Sequence, residues 1–554
     1  MGANLPPPHR CFNMRNPFAR IVLLAVAAVF IVFLMIRSDA IDVRAAILRT
    51  AKGAKEAGSS QHPLHGQSSD VTGTKETTDS AGASYTNSSR PFIMSCDYDM
   101  SRLQELQEKY SLQTKFEYTK RYVRISRQDI ERKSVTKLDQ DFMPDSVKVI
   151  DLKKQYKMET CPEPLAVPVT RSPFPSNANA SDFIFGVSTT YNRFTDPATS
   201  SINEWTYWLT DGRGHSNGGK LILMLLGAAE RELEDAYSRL SAVGINVDVY
   251  QSDPSMEMAV RYLTLVPKLY NHPDRKARKW IVTCDDDTFF PSFNALVERF
   301  EEFDHEQPMY IGTLSEDVNN IERHGSQAFG GAGVFLSTPL AKMIADKYES
   351  CKVDEKIKES NTGWGPQGDI LLRKCIYDNS EVKLTVLPDL WQLDLYGDPS
   401  GFYESGIKPL SLHHYRGGGW HIAFPWQTTK VAHLCGEDCS LQRFRTRDDF
   451  VISNGFSIAY YPKGIDFDMN QFERTFNPAP RDKGWNLDLR FGPQRKSLHK
   501  TGRKISWDLQ ESTVNDDGGV SQIYVRKSDD WRWKTKSDEP MSDLDGIIEL
   551  VWIS

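Results

Sequence analysis

The chain has 554 residues, of which 39% are hydrophobic and 11% aromatic, so its length allows several domains with large cores. With a formal net charge of −7, the chain lacks the basic character typical of general nucleic-acid binders, and we expect no nucleic-acid partner. Eight cysteines are too few for a disulfide scaffold of this length but enough for a few cross-links.

An unbroken apolar run covers Ile21–Ile36 and has an arginine at each end. As a helix it extends roughly 24 Å, which suits a thin ER or Golgi bilayer with arginines reaching to the interfaces. Residues 1–20 carry arginines and no acids, so the positive-inside rule predicts a cytosolic tail, a signal anchor over 21–36 and a luminal remainder. A cleaved signal peptide is the alternative, because Ser38–Ala40 resembles a small-x-small cleavage site. Both interpretations place the bulk of the chain in the secretory pathway, and we expect a single-pass type II protein of the Golgi or ER membrane.

A polar segment follows the apolar run. Residues 51–90 consist largely of Ser, Thr, Gly, Ala, Lys and Glu, which cannot bury enough apolar surface to offset their ordering entropy. We therefore expect a flexible stem over residues 37–92, followed by an N-terminal luminal segment over 93–179. Glycosylation sequons at Asn87 and Asn179 agree with a luminal location.

Short apolar runs and amphipathic segments alternate from Phe183 onward. The predicted elements are the strands Phe183–Val187, Lys220–Leu226, Ile245–Tyr250 and Trp280–Cys284, and the helices Ala229–Ala242, closed by Gly244, and Met256–Tyr270. Such alternation predicts an α/β sheet with mostly parallel strands and ligand sites at the carboxyl ends of the strands. We expect this domain over residues 180–444 and a β-rich accessory module over residues 445–554.

Three aspartates, Asp285, Asp286 and Asp287, directly follow the apolar strand Trp280–Cys284. An acidic surface loop is the alternative, but carboxylates at the end of a buried strand predict a divalent metal site. Carboxylate oxygens suit Mn²⁺ or Mg²⁺, and these ions commonly take a diphosphate as a further partner. Because a bound metal makes a diphosphate a good leaving group, the cluster indicates transfer of a group from a diphosphate.

Four motifs occur in a fixed order: WIVTCDDDTFF, QAFGGAGVFLS, GWGPQGDILLRKCI and LSLHHYRGG. Together they resemble the motif series of the Fringe-like β-1,3-glycosyltransferases of glycosyltransferase family 31, over roughly residues 180–430. The later segments CGEDC and SNGFSIAYYPKGI are similar to the C-terminal extension of a fungal and plant branch of that family. The resemblance implies a GT-A fold, which is Rossmann-like with a mostly parallel sheet. It also implies a UDP-sugar donor, Mn²⁺, inversion at the anomeric carbon and a glycan or glycoprotein acceptor.

The resemblance also implies roles for the charged motif residues. Asp287 is the expected carboxylate ligand of the metal, Asp286 is expected against the nucleotide-sugar, and Asp285 contacts the nucleotide or supports the ligands. The metal-binding histidine falls on LSLHHY, where His413 is the closer match and His414 the alternate. Partly buried loop histidines without a metal are the competing interpretation.

Two further loops are expected to contact the nucleotide-sugar. Gly330 and Gly331 resemble the family's loop in which the backbone approaches the ligand, with an ordinary glycine-rich turn as the alternative. Ser188 and Thr189 follow the first predicted strand and are expected to contact the nucleotide.

An inverting reaction needs a base that faces the acceptor, opposite the departing diphosphate, and so separate from the metal-binding aspartates. Asp369 fits this role, because it begins an amphipathic segment near a helix N-terminus that favours the ionised form. The family usually shows an acidic pair where this chain has Gly368-Asp369, so only Asp369 carries the role. A helix N-cap is the alternative for Asp369. Trp364 is expected to stack on the acceptor sugar or to serve as a hydrophobic anchor.

Seven of the eight cysteines follow the predicted anchor, so at least one lacks an intramolecular partner. Cys284, in the strand before the aspartates, is the expected free thiol. A zinc cluster of His433 with the CGEDC cysteines is the alternative to a short disulfide loop there. The expected disulfides are Cys351–Cys375, Cys435–Cys439 and Cys96–Cys161.

In the C-terminal module, Trp531 and Trp533 are predicted on one face of a strand, either packed on the catalytic domain or exposed as a sugar platform. The sequence as a whole predicts an inverting, metal-dependent UDP-sugar glycosyltransferase forming a β-1,3 linkage. A catalytically inactive, lectin-like protein of the same fold is the alternative. A glycoside hydrolase is disfavoured, since it needs a carboxylate pair flanking the bond and not a metal cluster.

Overall fold

The computed structural model describes residues 94–95, 97–143, 147–156, 161–199, 201–477, 490–534 and 542–554. The expected membrane anchor over residues 21–36, the stem and the Asn87 sequon lie outside these residues. Among the described residues, no helix is both long enough and apolar enough to cross a membrane.

The strands, in chain order, are β1 (Lys115–Gln128), β2 (Val135–Lys137), β3 (Lys148–Asp151), β4 (Leu165–Thr170), β5 (Phe183–Thr189), β6 (Lys220–Leu226), β7 (Val247–Ser252), β8 (Trp280–Cys284), β9 (Tyr310–Gly312), β10 (Val334–Ser337), β11 (Leu384–Val386), β12 (Tyr396–Gly397), β13 (Arg443–Arg445), β14 (Phe450–Ser453), β15 (Ser457–Tyr460), β16 (Phe472–Arg474), β17 (Phe476–Asn477), β18 (Gln494–Lys496), β19 (Ile505–Val514), β20 (Val520–Arg526) and β21 (Gly546–Ile553).

The α-helices are α1 (Met100–Lys109), α2 (Tyr191–Thr195), α3 (Ser201–Leu209), α4 (Glu230–Ala242), α5 (Met258–Tyr270), α6 (Phe293–Glu301), α7 (Val318–His324), α8 (Thr338–Cys351), α9 (Asp354–Glu359), α10 (Gly368–Asn379), α11 (Ser400–Tyr403), α12 (Pro425–Thr428) and α13 (Ala432–Cys435).

A seven-stranded sheet has the order β11-β9-β10-β8-β5-β6-β7. Strands β8, β5, β6 and β7 run parallel, β9 and β11 pair in parallel, and β10 is antiparallel to both of its neighbours. The predicted α/β sheet with mostly parallel strands is confirmed. The strands predicted at Lys220–Leu226 and Trp280–Cys284 have the observed bounds, because both are continuous apolar runs buried on both faces.

Helices cover both faces of this sheet, with α3, α4 and α6 and many aromatic side chains on one face and α5, α8 and α10 on the other. The apolar faces of α5, α8 and α10 pack with Ile184, Ile222 and Ile281 of the sheet. Helix α4 ends as its sequence predicts: Gly244 has φ +90°, and a Cβ there would lie 2.3 Å from the carbonyl oxygen of Gly214.

A second, ten-stranded sheet has the order β2-β13-β14-β15-β19-β20-β21-β1-β3, with β4 paired to β1. Strand β1 runs parallel to β21, with Glu117 opposite Gly546 and Arg124 opposite Ile553. The segments 93–179 and 445–554, which the sequence suggests as separate, thus contribute strands to one sheet. The expected β-rich character of the C-terminal region is confirmed.

The prediction that Trp531 and Trp533 share one face of a strand is wrong. Residues Trp531–Trp533 form a 3₁₀ turn, whose N-cap Asp530 accepts a hydrogen bond from the backbone N–H of Arg532. As a result Trp533 is 3% exposed and packed in the protein, whereas Trp531 is 53% exposed.

The cysteine predictions are largely confirmed. Disulfides join Cys351 to Cys375 at a Cα–Cα distance of 5.2 Å, linking the end of α8 to α10, and Cys435 to Cys439. The zinc alternative is therefore wrong, since those two sulfur atoms bond to each other. Cys284 is free and buried. Cys161 is disulfide-bonded, but its expected partner Cys96 lies outside the described residues.

The Asn179 sequon lies on the surface. The Asn179 side chain is exposed, and its oxygen accepts a hydrogen bond of 3.1 Å from the backbone N–H of Ser181. Glycosylation at this position remains a prediction that the exposure of the side chain permits.

Candidate active site

The predicted site residues meet at the carboxyl edge of the seven-stranded sheet. Strands β5 and β8 are parallel neighbours, with Val187 opposite Cys284. Residues 188–189 and 285–287 therefore leave adjacent strands at the same edge. A bridge between Phe289 and Leu412 brings the chain that carries His413 to the same place.

Asp285, Asp287 and His413 form a cluster in which one ligand atom from each lies within 4.8 Å of the others. His413 Nε2 lies 3.0 Å from Asp287 Oδ1 and 3.5 Å from Asp285 Oδ2. Ligands on opposite sides of a Mg²⁺-sized ion stand about 4.2 Å apart, since each bond is about 2.1 Å. Two carboxylates and an imidazole at these separations therefore fit one small divalent cation. The sequence suggested Asp285 only as a supporting residue or a nucleotide contact, whereas the structure places it within the cluster.

Burial and the mutual charges of the three groups together set the electrostatics of this cluster. Burial raises the pKa of Asp285 to about 6, with Asp287 and Asp286 adding to the rise and His413 opposing it. Burial would likewise raise the pKa of Asp287, but His413 and Arg416 outweigh it and hold that pKa below its ordinary value. Burial lowers the pKa of His413, yet Asp287 and Asp285 raise it to about 9. Negative charge is thus concentrated where a cation would relieve it.

The His413 ring is positioned by the glycine-rich loop. A Cβ on Gly331 would lie 2.1 Å from the Cε1 atom of His413, so only glycine allows the backbone to approach the ring this closely. Thr288, directly after the aspartates, donates a 2.7 Å hydrogen bond to the carbonyl of Gly331. A Cβ on Gly330 would likewise lie 2.7 Å from the hydroxyl oxygen of Tyr262. Both predicted glycines therefore line the site, with Gly331 in contact with a candidate ligand.

His414 does not join the carboxylate cluster. Its φ of +55° is uncommon for a residue with a side chain, and its Nδ1 lies 2.8 Å from Oδ1 of Asp394. Ser315 and Asn320 hydrogen-bond the other oxygen of Asp394. The His414 ring is stacked between His413, at 3.8 Å between centroids, and Trp420, at 4.2 Å. The geometry therefore favours His413 as the metal ligand.

Asp286 is held within the protein by its neighbours. Arg193 donates two hydrogen bonds to its carboxylate, from Nε at 2.8 Å and from Nη2 at 2.5 Å. The hydroxyl of Thr189 also donates to it. Two of the expected nucleotide contacts, Asp286 and Thr189, thus bond to each other, while Ser188 is partly exposed at the end of β5.

A buried network supports the aspartates, and sequence reasoning missed it. The buried Glu204 of α3 accepts hydrogen bonds from Tyr415 Oη at 2.8 Å and Arg416 Nη2 at 2.5 Å. Arg416 also donates to the backbone carbonyl of Asp286 at 3.1 Å. A basic residue two positions after the histidine pair was visible in the sequence, but its partner on a distant helix was not.

Asp369 is the second residue of α10, and Gln367 occupies the N-cap position, so the N-cap alternative for Asp369 is wrong. Its carboxylate accepts hydrogen bonds from the backbone N–H of Ile370 at 2.8 Å and from the backbone of Gly330. Burial raises the pKa of Asp369 to about 6, with the backbone hydrogen bonds opposing the rise. The glycine-rich loop thus lies between Asp369, on the Gly330 side, and His413, on the Gly331 side.

Trp364 lies on the loop that leads into α10, between the bridged residues Asn361 and Pro366. Its side chain is 76% exposed, so its alternative interpretation as a hydrophobic anchor is wrong. The guanidinium of Arg323 lies 5.7 Å from the centre of its ring. An exposed indole five residues before Asp369 is available to an acceptor sugar.

Residues 239–395 match the family described as Fringe-like. This segment contains the three aspartates, the glycine-rich loop and Asp369, and it ends before His413. The match confirms the family resemblance and supports a glycosyltransferase activity for this chain. No curated protein sequence matches the chain.

Three solved structures illustrate more distant likenesses. Mouse xyloside xylosyltransferase 1 in its apo form is 12% identical, with 37% of this chain and 85% of that chain covered and a TM-score of 0.25. The galactosyltransferase LgtC, in complex with donor and acceptor sugar analogues, is 13% identical, with 36% and 73% covered and a TM-score of 0.27. A glycosyltransferase involved in glycosylation of the major capsid of PBCV-1 is 12% identical, with 42% and 91% covered and a TM-score of 0.24. Likenesses with TM-scores this low do not establish a shared fold.

Proposed function

We propose that this chain, through its Fringe-like domain, is an inverting, metal-dependent glycosyltransferase. It moves a sugar from a UDP-sugar to a hydroxyl group of a glycan or glycoprotein and forms a β-1,3 linkage. The observation that carries the proposal is the meeting of Asp285, Asp287 and His413 at the carboxyl end of β8. A cluster of this charge fits a divalent cation and, through it, a diphosphate.

Asp287, His413 and Asp285 would together hold Mn²⁺ or Mg²⁺. When bound, such an ion neutralises the charge that develops on a diphosphate leaving group. Thr288 and Gly331 hold the His413 ring against the carboxylates, and Arg416 holds the backbone of Asp286 in place. The chain thereby keeps the ligand atoms together before any ligand arrives.

Asp369 is the proposed base. An acceptor hydroxyl is a poor nucleophile, so its proton passes to a carboxylate as the new bond to the anomeric carbon forms. With a pKa of about 6, Asp369 is ionised at neutral pH and still basic enough to take that proton. Trp364 offers an exposed ring on which the acceptor sugar stacks, and Ser188, Thr189, Asp286 and the glycine-rich loop surround the proposed nucleotide position.

The direct test is UDP release by the purified protein from a panel of UDP-sugars, with and without an acceptor mixture. We expect release with Mn²⁺ present and none after chelation with EDTA. Release that is unaffected by EDTA would contradict the metal dependence. Saturable binding of sugars with no release from any donor would instead favour the inactive, lectin-like alternative.

We also propose that the protein is a single-pass type II protein of the Golgi or ER membrane, anchored by residues 21–36. Protease added to sealed microsomes should remove only a tag at the N-terminus and leave the rest of the chain protected. Digestion of the whole chain would contradict this orientation.

A further inference from the structure

A second cluster of charged residues lies between the ten-stranded sheet and the two-stranded sheet of β16 and β18, apart from the proposed site. Here a small cavity, which we call the arginine cavity, is lined in part by Glu404, Arg443, Tyr461, Phe467, Glu473 and Arg495. Lys504 lies next to it with no exposed surface and contacts both Glu404 and Glu473. The cavity has room for about one guest the size of a water molecule.

The carboxylates around the arginine cavity have all their oxygens engaged. One oxygen of Glu404 accepts from Ser457 Oγ and the other from Lys504. One oxygen of Glu473 accepts from the backbone N–H of Leu498, and the other accepts from Arg495 and Lys504. Each carboxylate oxygen is thus already bonded, and neither acid accepts a hydrogen bond from Arg443.

The arginines, by contrast, keep unused donors. Arg443 donates from Nε to the carbonyl of Ser134 at 2.9 Å and from Nη1 to that of Met469 at 2.7 Å. Its Nη2 is buried and has no hydrogen-bond partner in the described part of the chain. Arg495 donates from Nη2 to Glu473 at 2.7 Å, but its Nε and Nη1 are likewise buried and unpartnered. The arginine cavity therefore presents three N–H donor groups and needs acceptors.

The charges around the arginine cavity are also unbalanced, with positive charge in excess. Three cations, Arg443, Arg495 and Lys504, face two carboxylates, Glu404 and Glu473, which leaves an excess of one positive charge. Arg132, beside this group, is a further cation; it donates its hydrogen bonds to backbone carbonyls, and the charge of Asp438 acts on it, so the pair leaves the excess at the cavity unchanged. Burial, together with the charges of Arg495 and Arg132, lowers the pKa of Arg443 to about 10, while Tyr461 and Glu404 oppose this shift. A buried excess charge is costly unless a counter-ion neutralises it.

We propose that the arginine cavity binds a small monovalent inorganic anion of about the size of chloride, contacted by Arg443 Nη2 and by Nε and Nη1 of Arg495. A single water molecule would accept some of these hydrogen bonds but would leave the excess charge in place. An anion would accept these hydrogen bonds and also offset the charge, and it would link β13 of the ten-stranded sheet to β18 of the two-stranded sheet formed by β16 and β18. The proposal concerns fold stability and is independent of the glycosyltransferase site.

The first experiment compares thermal unfolding of the purified protein in sodium chloride and in sodium gluconate at equal ionic strength. Gluconate is too large for the cavity, so only chloride should raise the Tm, saturably and by about 2–4 °C. Equal Tm values in the two salts would overturn the proposal. Crystals grown with bromide should show an anomalous peak between Arg443 and Arg495, and a peak at other positions only would also overturn it.

A matched pair of variants locates the effect. Arg443→Gln should abolish the difference between chloride and gluconate. Arg445→Gln, in the same strand but paired with Asp449 outside the cavity, should retain it. A chloride effect that persists in Arg443→Gln would refute the assigned position. If Arg443→Gln does not fold, the position of the bromide peak in the unaltered protein decides whether the anion binds between Arg443 and Arg495.

Discussion

The two charged clusters of this protein differ in how their carboxylates are used. At the edge of the seven-stranded sheet, Asp285 and Asp287 share one histidine and are partly open to solvent. Beside the ten-stranded sheet, every oxygen of Glu404 and Glu473 accepts a hydrogen bond from a buried or backbone partner. Acids with free coordination positions can receive a ligand, whereas acids whose positions are filled hold the fold together. Changes in the first cluster should therefore remove activity without unfolding, and changes in the second should lower stability without altering the site.

The largest effect is expected for Asp287→Asn. Loss of groups that merely support metal ligands costs 10–100-fold in affinity, so loss of a ligand should weaken Mn²⁺-dependent UDP binding by more than about 100-fold. Isothermal titration with UDP, in the presence and absence of Mn²⁺, measures this effect. His413→Ala should weaken binding to the same extent. His414→Ala should have a milder effect, because the native His414 side chain contacts Asp394 and not the aspartate cluster. Normal Mn²⁺-dependent binding in both the Asp287 and the His413 variants would refute the site.

Asp369→Asn should lower the rate of transfer by about 10² or more, because the amide cannot accept the acceptor's proton. Since Asp369 is outside the cluster of candidate metal ligands, the affinity for UDP and Mn²⁺ should stay nearly unchanged. Single-turnover transfer and UDP titration on the same preparation separate the two quantities. Near-normal transfer by this variant would show that another group is the base.

The pH dependence of transfer should follow Asp369. Its raised pKa of about 6 means that the active, ionised form is lost as the pH falls through 6, so the rate should drop roughly tenfold per pH unit below that value. At saturating Mn²⁺, which favours the ionised form of Asp285, the residual activity of Asp369→Asn should lack this acidic limb. A wild-type rate that stays level down to pH 5 would argue against Asp369.

At the buried cluster, Lys504→Met should lower the free energy of unfolding by about 3–5 kcal/mol, because it removes the buried partner of one Glu404 oxygen and a hydrogen bond to Glu473. Denaturant unfolding measures this loss, and Mn²⁺-dependent UDP binding of the folded fraction should be unchanged. Lys496→Met, at an exposed position in β18, should change the free energy of unfolding by no more than about 0.5 kcal/mol. Equal stability of the two variants would contradict a structural role for the buried cluster.

The smallest effect is expected at Trp531. Trp533→Ala should cost about 3–5 kcal/mol, since it leaves a cavity, whereas Trp531→Ala should change the stability by no more than about 0.5 kcal/mol. The pair compares two tryptophans of one turn that differ mainly in burial. A large loss at Trp531 would show that its exposed ring is covered in the intact protein.

Local patterns in the sequence predicted much of the α/β region. Strand β8 is a continuous apolar run buried on both faces, and the three aspartates begin where that run ends, so their place at the sheet edge follows from chain order. Gly244 closes α4 because only the left-handed backbone allows the turn there. The sequence also predicted that Cys284 is a free thiol, because this residue lies in a strand that is buried on both faces.

Only the tertiary structure decided how distant segments meet. The sequence favoured His413 over His414 only through the family resemblance and left His414 open. The positive φ of His414, with its contact to Asp394, decides that His413 faces the aspartates. The pairing of β1 with β21 depends on which strand edges remain unpaired once the rest of the sheet has formed, and no local pattern encodes that choice. The sequence therefore determined the elements and the acids at their ends, while long-range packing selected the histidine and joined the two ends of the described chain in one sheet.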